Sequence, residues 1–191
     1  MELKLVIAGI GGQGVIYATK VLSQAALARG ERVMASENHG MSQRGGSVQT
    51  HFKIGGGEAP LIRRGTADAL IAFERVEALR NLPYVRPGGC VYANSADGLD
   101  STVTDRLSEL GVGVFTIDAN AHVKELGTPA VMNLVVLGFA AALGELGLSV
   151  DDLKAAAREL GPVNAIELNL KALKIGAAAA DVKRKAMATR R

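Results

Sequence analysis

The stretch "LKLVIAGIGGQGVIYATKVL", residues 3–22, decides the fold of this 191-residue chain. Its first part, 3–8, is a short apolar run bounded by glycine, which is typical of a buried strand. A glycine-rich turn follows. Residues 13–29 then place apolar side chains at helical spacing up to Gly30, a common helix terminator. A buried strand, a glycine turn and a helix in succession predict an α/β protein with a Rossmann-like first βα turn.

The rest of the chain continues this alternation of strands and helices. Residues 46–55 alternate apolar and polar side chains, the period of a half-covered strand that is usually antiparallel. We therefore predict a three-layer α/β/α sandwich around a mostly parallel, mixed sheet. Residues 1–176 are expected to form one domain, and 177–191 a basic tail that is flexible. The other predicted strands are 31–37, 68–73, 88–94 and 112–118, and the other predicted helices are 74–82, 130–146, 149–161 and 164–176.

Composition excludes several classes of protein. The single cysteine, Cys90, can form neither an internal disulfide nor the ligand set of an iron–sulfur cluster. Five of the 22 basic residues lie in the last nine positions, so the remainder carries 17 basic against 19 acidic residues and predicts no nucleic-acid partner. The longest apolar stretch, 129–144, is too short for a membrane span. We expect a soluble protein in the reducing cytoplasm.

The glycine turn "GIGGQG", 9–14, fits the G-x-G-x-x-G pattern, in which backbone amides at a helix N-terminus can face an anion. The alternative is that its glycines serve only close packing of strand and helix. Glu37 follows 23 residues later, near the place of a ribose-binding acid in dinucleotide folds. Alone, this pattern would predict NAD or FAD binding. The candidate ligand-binding residues in this turn are Gly9, Gly11, Gly12, Gln13 and Gly14.

A second polar, glycine-rich loop, 36–48, follows the second predicted strand. Loops at the carboxyl ends of neighbouring strands meet at one edge of an open sheet, so both loops should face one cleft. Arg44 could grip a phosphate or carboxylate with two hydrogen bonds, or it could form a structural ion pair. The candidate residues in this loop are Ser42, Gln43, Arg44, Gly45 and Gly46.

Asn133 interrupts the apolar helix at 130–146 and should find a buried partner, either the glycine turn or a neighbouring subunit. The other polar candidates point to no catalytic centre. The histidines show no metal spacing, Cys90 fits a small core residue, and Ser42 and Ser47 have no adjacent base. We predict no catalytic residue and no metal site; the histidines concerned are His39, His51 and His122.

Four segments together resemble the gamma-type domain of the 2-oxoacid:ferredoxin oxidoreductases, and the likeness covers nearly the whole chain. The form HGM-x-QRGG-x-V is typical of the branch that acts on indolepyruvate. The segments are "GIGGQGV", "HGMSQRGGSV", "ADALIAFERVEALR" and "NLVVLG".

The resemblance implies a small subunit of an enzyme that decarboxylates a 2-oxoacid oxidatively with coenzyme A, yielding acyl-CoA, carbon dioxide and two electrons for ferredoxin. It places thiamine diphosphate and the iron–sulfur clusters on a large alpha subunit. This chain would complete that subunit's active-site region and help to form the path for coenzyme A, through both polar loops and Asn133. The isolated chain is expected to be inactive, and its self-association is left open. The alternatives are a stand-alone dinucleotide-binding protein and a non-catalytic assembly subunit.

Overall fold

The computed structural model describes residues 1–39 and 45–188, without the side chains of residues 39 and 185–188. The predicted alternation of strands and helices is confirmed, with short 3-10 turns at 82–84, 129–131 and 163–165. The strands are β1 (Leu3–Ile10), β2 (Val33–His39), β3 (Ser47–Ile54), β4 (Ala67–Ala72), β5 (Val85–Asn94) and β6 (Gly113–Ile117), and the helices are α1 (Val15–Ala28), α2 (Arg75–Asn81), α3 (Ser101–Glu109), α4 (Ala119–Glu125), α5 (Met132–Leu143), α6 (Val150–Leu160) and α7 (Ile166–Ala188).

The six strands form one sheet in the order β2-β3-β1-β4-β5-β6. The pairs β1–β4, β4–β5 and β5–β6 are parallel, whereas β3 runs antiparallel to both β1 and β2. The prediction of a mostly parallel, mixed sheet is therefore confirmed. The carboxyl ends of five strands and the start of β3 meet at one edge, which we call the upper edge.

Helices cover both faces of the sheet. On one face, α1 and α5 pack on the strands, α7 packs on α5, and α4 and α6 lie beside them; on the other face lie α2 and α3. Successive side chains of a strand point to opposite faces. Accordingly Leu5 and Ile7 of β1 belong to the hydrophobic core on the face of α1 and α5, and Val6 and Ala8 belong to the core on the face of α2 and α3.

Helix α5 is buried on every side, as its apolar composition predicts: residues 132–141 are all buried. It crosses α7 at very short range because both helices carry glycine at the crossing. A Cβ on Gly138 would lie 2.2 Å from the Leu173 carbonyl oxygen, and one on Gly176 would lie 1.9 Å from the Val135 carbonyl oxygen.

Gly176 therefore serves the helix crossing and does not end the helix. The helix end predicted at Gly176 is wrong, since α7 continues to Ala188 and its residue Ala180 is buried. Two cations of the predicted basic tail also contact the fold. Lys183 donates to the Thr116 carbonyl oxygen at 3.0 Å, and Arg184 donates to the Ala142 carbonyl oxygen near the end of α5.

Two helices, α3 and α4, were not predicted. Of the residues of α3, only Leu107 is buried, so the segment lacks an apolar stripe. Helix α4 has seven residues and is too short to show a helical period. No helix within residues 1–39 and 45–188 combines the length and the apolar character needed to cross a bilayer.

Candidate functional site

The glycine turn, 9–14, lies at the upper edge, between β1 and α1. Gly14 adopts φ 77° as the N-cap of α1, and as a glycine it has no side chain that could accept from the first-turn amides. The first-turn N–H groups of a helix have no partner within the helix. Gly12 is exposed at φ 99° with open space around its α-carbon. The turn thus presents backbone amides and the positive end of a helix dipole to its surroundings.

Inside the turn, Gly9 and Gln13 have packing roles. The Gln13 side-chain oxygen accepts from the Ile10 amide at 2.9 Å, which closes the turn. A Cβ on Gly9 would lie 2.9 Å from both this Gln13 oxygen and a methyl group of Val15. These two residues hold the turn in shape, and the packing role considered for the glycines applies to Gly9.

Asn133 contacts the turn directly. This side chain is 1% exposed, and its amide group donates to the Gly14 carbonyl oxygen at 2.9 Å. Its own side-chain oxygen accepts from the Leu134 amide at 2.8 Å. A Cβ on Gly14 would lie 2.3 Å from the Asn133 amide nitrogen, so glycine is required there. The buried amide therefore joins the N-termini of α1 and α5.

The second loop meets the turn at its far end. The Gly11 amide donates to the Gly46 carbonyl oxygen at 2.8 Å, and Gly45 adopts φ 73°. The two loops share the upper edge over the residues that the structure describes. The predicted ligand contacts Ser42, Gln43 and Arg44 lie outside the described residues.

Glu37 does not occupy the position that a dinucleotide fold would give it. Its strand, β2, is separated from β1 by β3, with Glu37 opposite Thr50 and Thr50 opposite Ile7. Two strand spacings of about 4.8 Å place Glu37 roughly 10 Å from β1. In dinucleotide folds the acidic residue ends the strand next to the first one. The spacing of Glu37 in the sequence therefore does not reproduce that geometry.

A buried polar cluster that the sequence analysis missed lies beneath the second loop. Glu77 of α2 is 1% exposed and accepts from the Ser47 hydroxyl at 2.6 Å. Asn81, one turn later, accepts from the Gln49 side chain at 2.6 Å. The available signal was a pair of polar residues four apart in a short helix that must pack on a sheet.

Asn94 is a second missed residue at the upper edge. It is buried at the end of β5, donates to the Phe73 carbonyl oxygen at 3.2 Å, and accepts from the Ala119 amide at 2.9 Å. The side chain thus connects the end of β4 with the start of α4. A lone asparagine at a strand end carries no sequence pattern that would have distinguished it from an ordinary turn residue.

The surroundings of the remaining candidate residues fit structural roles. His51 is 5% exposed and accepts from the Ile62 amide at 2.8 Å; burial, with a smaller contribution from Lys53, lowers its pKa from 6.5. Burial raises the pKa of the Cys90 thiol, which disfavours the nucleophilic thiolate. Among the side chains that the structure describes, which exclude that of His39, no three His, Cys, Asp or Glu residues cluster as a metal site would require.

The arrangement can bind and orient an anionic group. A helix N-terminus whose N-cap is glycine, an exposed glycine and two loops joined by a backbone hydrogen bond converge at the upper edge. Amides in such a turn suit phosphate oxygens, which accept several hydrogen bonds at once. No acidic side chain lies in the first turn of α1 to compete for these amides.

Comparison with known sequences finds relatives that match nearly the whole chain. The sequence model described as pyruvate ferredoxin/flavodoxin oxidoreductase matches residues 4–179. Indolepyruvate oxidoreductase subunit IorB of Archaeoglobus fulgidus is 33% identical over 189 residues, covering 92% of this chain and 94% of that protein. Ketoisovalerate oxidoreductase subunit VorA of Methanothermobacter marburgensis is also 33% identical, over 92% of this chain but only 36% of that protein.

Solved structures share the fold. The gamma subunit of a keto/oxoacid ferredoxin oxidoreductase from Geobacter sulfurreducens superposes with a TM-score of 0.73 at 24% identity, covering 94% of this chain and 99% of that chain. A 2-oxoglutarate:ferredoxin oxidoreductase from Magnetococcus marinus, solved with 2-oxoglutarate, coenzyme A and succinyl-CoA bound, superposes with a TM-score of 0.74 at 21% identity. That match covers 95% of this chain and 31% of the other.

Proposed function

The chain belongs to the pyruvate ferredoxin/flavodoxin oxidoreductase family, and from this premise we propose that it is the small subunit of a thiamine diphosphate-dependent 2-oxoacid:ferredoxin oxidoreductase. The substrate class is an aryl pyruvate, with indolepyruvate as the leading member. The observation that carries this choice is the end-to-end match to a free-standing indolepyruvate oxidoreductase subunit. The ketoisovalerate relative contains the matching segment as about a third of a longer chain.

The reaction is oxidative decarboxylation. A 2-oxoacid and coenzyme A yield an acyl-CoA and carbon dioxide, and the two electrons released pass to ferredoxin. Iron–sulfur clusters do not fit this chain, because they need several cysteine ligands and only Cys90 is present. We assign the clusters and the thiamine diphosphate to a large partner subunit, and we assign no catalytic residue to this chain.

The contribution of this chain is to bind and orient coenzyme A. The phosphate groups of coenzyme A are the anions in the reaction that best suit the backbone amides at the start of α1. Gly12 and Gly14 would present these amides, Asn133 would hold the Gly14 carbonyl oxygen, and Arg44 would add a fixed positive charge. The Gly11 amide already donates to the Gly46 carbonyl oxygen, so Gly11 would hold the turn against the second loop. The bound coenzyme A in the structurally similar 2-oxoglutarate enzyme supports this choice of ligand.

The test begins with co-purification of this chain and its large subunit. The complex is assayed with indolepyruvate, phenylpyruvate, 2-oxoisovalerate and pyruvate, each with coenzyme A and ferredoxin. We expect the highest kcat/KM with the aryl substrates. Preference for pyruvate would refute the substrate assignment and leave the family membership intact.

The coenzyme A role is tested with the variant Arg44→Ala in the same complex. We expect the KM for coenzyme A to rise by about tenfold or more, the effect of losing one charged contact. An exposed ion pair far along the chain, Arg106 with Glu109, offers the matched control Arg106→Ala. The role is wrong if Arg44→Ala changes neither this KM nor the assembly of the complex.

Two simple experiments separate the alternatives. Tight binding of NAD(H) or FAD by the isolated chain would favour a stand-alone dinucleotide-binding protein. Full activity of the large subunit alone would favour a non-catalytic assembly role. The division into a domain at 1–176 and a basic tail at 177–191 remains a proposal, although α7 continues across residue 176.

A further inference from the structure

Glu77 is a buried charged residue with no part in the proposed contacts to coenzyme A. Charged side chains are almost never fully buried unless they are paired, because removal from water destabilises the ionised form. Glu77 is 1% exposed, whereas its ionic partner Arg80 reaches solvent with 60% of its side chain exposed. The buried carboxylate thus lies between the solvent-facing Arg80 and the first residue of β3.

Contacts lead from this carboxylate to the glycine turn. The Ser47 hydroxyl donates to Glu77 at 2.6 Å. The residue before Ser47 is Gly46, whose carbonyl oxygen accepts from the Gly11 amide at 2.8 Å. One side-chain hydrogen bond, one peptide unit and one backbone hydrogen bond therefore connect α2 to the turn at the start of α1.

The attachment of β3 to α2 has a second point. Gln49 lies two residues beyond Ser47 on the same face of β3 and donates to Asn81 at 2.6 Å. Asn81 in turn donates to the backbone carbonyl oxygen of Glu77 at 2.8 Å. Two points fix both the position and the direction of the first residues of β3, which follow the second loop directly.

We propose that Glu77 is a positioning residue for coenzyme A: through Ser47 and Gly46 it fixes the glycine turn in the geometry that receives the anion. This inference rests on the proposed function. A hydroxyl has one hydrogen to donate, so the acceptor sets its direction. A charge-assisted bond is shorter and stronger than a neutral one, which makes a carboxylate the acceptor that holds Ser47 most firmly.

The test uses the purified complex of this chain with its large subunit and two variants, Glu77→Gln and Ser47→Ala. Exchange of the Gly11 amide is followed by hydrogen–deuterium mass spectrometry on peptides covering residues 9–14. The KM for coenzyme A and kcat are measured in parallel. The control is Glu109→Gln, which removes a carboxylate of an exposed ion pair in α3.

We expect both variants to speed exchange of the Gly11 amide and to raise the KM for coenzyme A by about tenfold, with kcat nearly unchanged. Glu77→Asp, which keeps the charge, should change Gly11 exchange and the KM for coenzyme A less than Glu77→Gln does. The double variant should change Gly11 exchange no more than Ser47→Ala alone, because Ser47→Ala already removes the bond through which Glu77 acts. A general loss of stability would instead change kcat and the KM of the 2-oxoacid as well.

Unchanged exchange at Gly11 in either folded variant would overturn the inference. If Glu77→Gln did not assemble, Ser47→Ala alone would decide the matter, since it removes the bond from the half-buried donor and leaves the buried carboxylate in place. A raised KM in Arg44→Ala with an unchanged KM in Glu77→Gln would refute the positioning role and leave the proposed function standing. Unchanged KM values in all of these variants would refute both.

Discussion

The crossing of α5 and α7 allows a specific prediction, because it requires a hydrogen atom in place of a side chain at both Gly138 and Gly176. In Gly176→Ala the new methyl group would lie 1.9 Å from the Val135 carbonyl oxygen and 2.7 Å from the Phe139 amide nitrogen. In Gly138→Ala it would lie 2.2 Å from the Leu173 carbonyl oxygen. The obstructing atoms belong to the backbone, so no change of rotamer relieves the contact and the helices must move apart.

The magnitude follows from two opposing effects. Alanine is the better helix former by about 1 kcal/mol, which would stabilise the variant. Overpacking of a well-packed core destabilises by about 1–3 kcal/mol and occasionally by more. Backbone contacts this short belong at the upper end or beyond it. We expect a net loss of about 2 kcal/mol or more in the free energy of unfolding for each variant, or roughly 4–8 °C in midpoint for a chain of this size.

Thermal and urea unfolding followed by circular dichroism measure this loss. The matched control is Gly56→Ala, where the nearest atom is a flexible Glu2 oxygen at 3.4 Å and the backbone is not left-handed. That control should stay within about 1 kcal/mol of the native chain. A gain of stability in both Gly138→Ala and Gly176→Ala would refute the reasoning, since helix propensity would then outweigh the close crossing.

Three further predictions concern single side chains. Burial holds the folded-state pKa of His51 below 6.5, so the unfolded chain takes up the proton first and the free energy of unfolding falls as the pH drops below about 6.5; urea midpoints between pH 8 and 5 should lose this dependence in His51→Gln, and an identical pH profile would contradict it. Asn133→Ala should lower the free energy of unfolding by about 1–3 kcal/mol, because the Gly14 carbonyl oxygen loses a buried donor; an unchanged thermal midpoint would show that the bond contributes nothing. Lys183→Met should increase aggregation measured by light scattering, because it removes the α7 cation that binds the Thr116 carbonyl oxygen of the edge strand β6, and unchanged scattering would speak against that protective role.

Sequence patterns predicted those elements whose side chains carry a clear period. β1, β3 and α5 are long or strongly patterned, and β3 was predicted antiparallel from its alternation alone. The partner of Asn133 was also among the expected ones, because an amide in an apolar helix needs a buried acceptor and a glycine turn offers one.

Features that depend on contacts between residues distant in the chain could not be predicted from sequence patterns. Gly176 has the appearance of a helix terminator, and only the position of α5 explains why the helix continues past it. The spacing of Glu37 suggested a dinucleotide site because the sequence does not state that β3 lies between β1 and β2. Glu77 belonged to a quoted motif, yet its partner Ser47 is 30 residues away.

The polar face of β3 also protects the chain against misfolding. Four alternate residues on this face are each paired: Ser47 with Glu77, Gln49 with Asn81, His51 with the Ile62 amide, and Lys53 with the Ala59 carbonyl oxygen. A register slip of one residue would turn all four toward α1 and α5 and would move Phe52 and Ile54 to the face that these polar residues now occupy. The hairpin of β2 and β3 therefore has a single favourable alignment against β1.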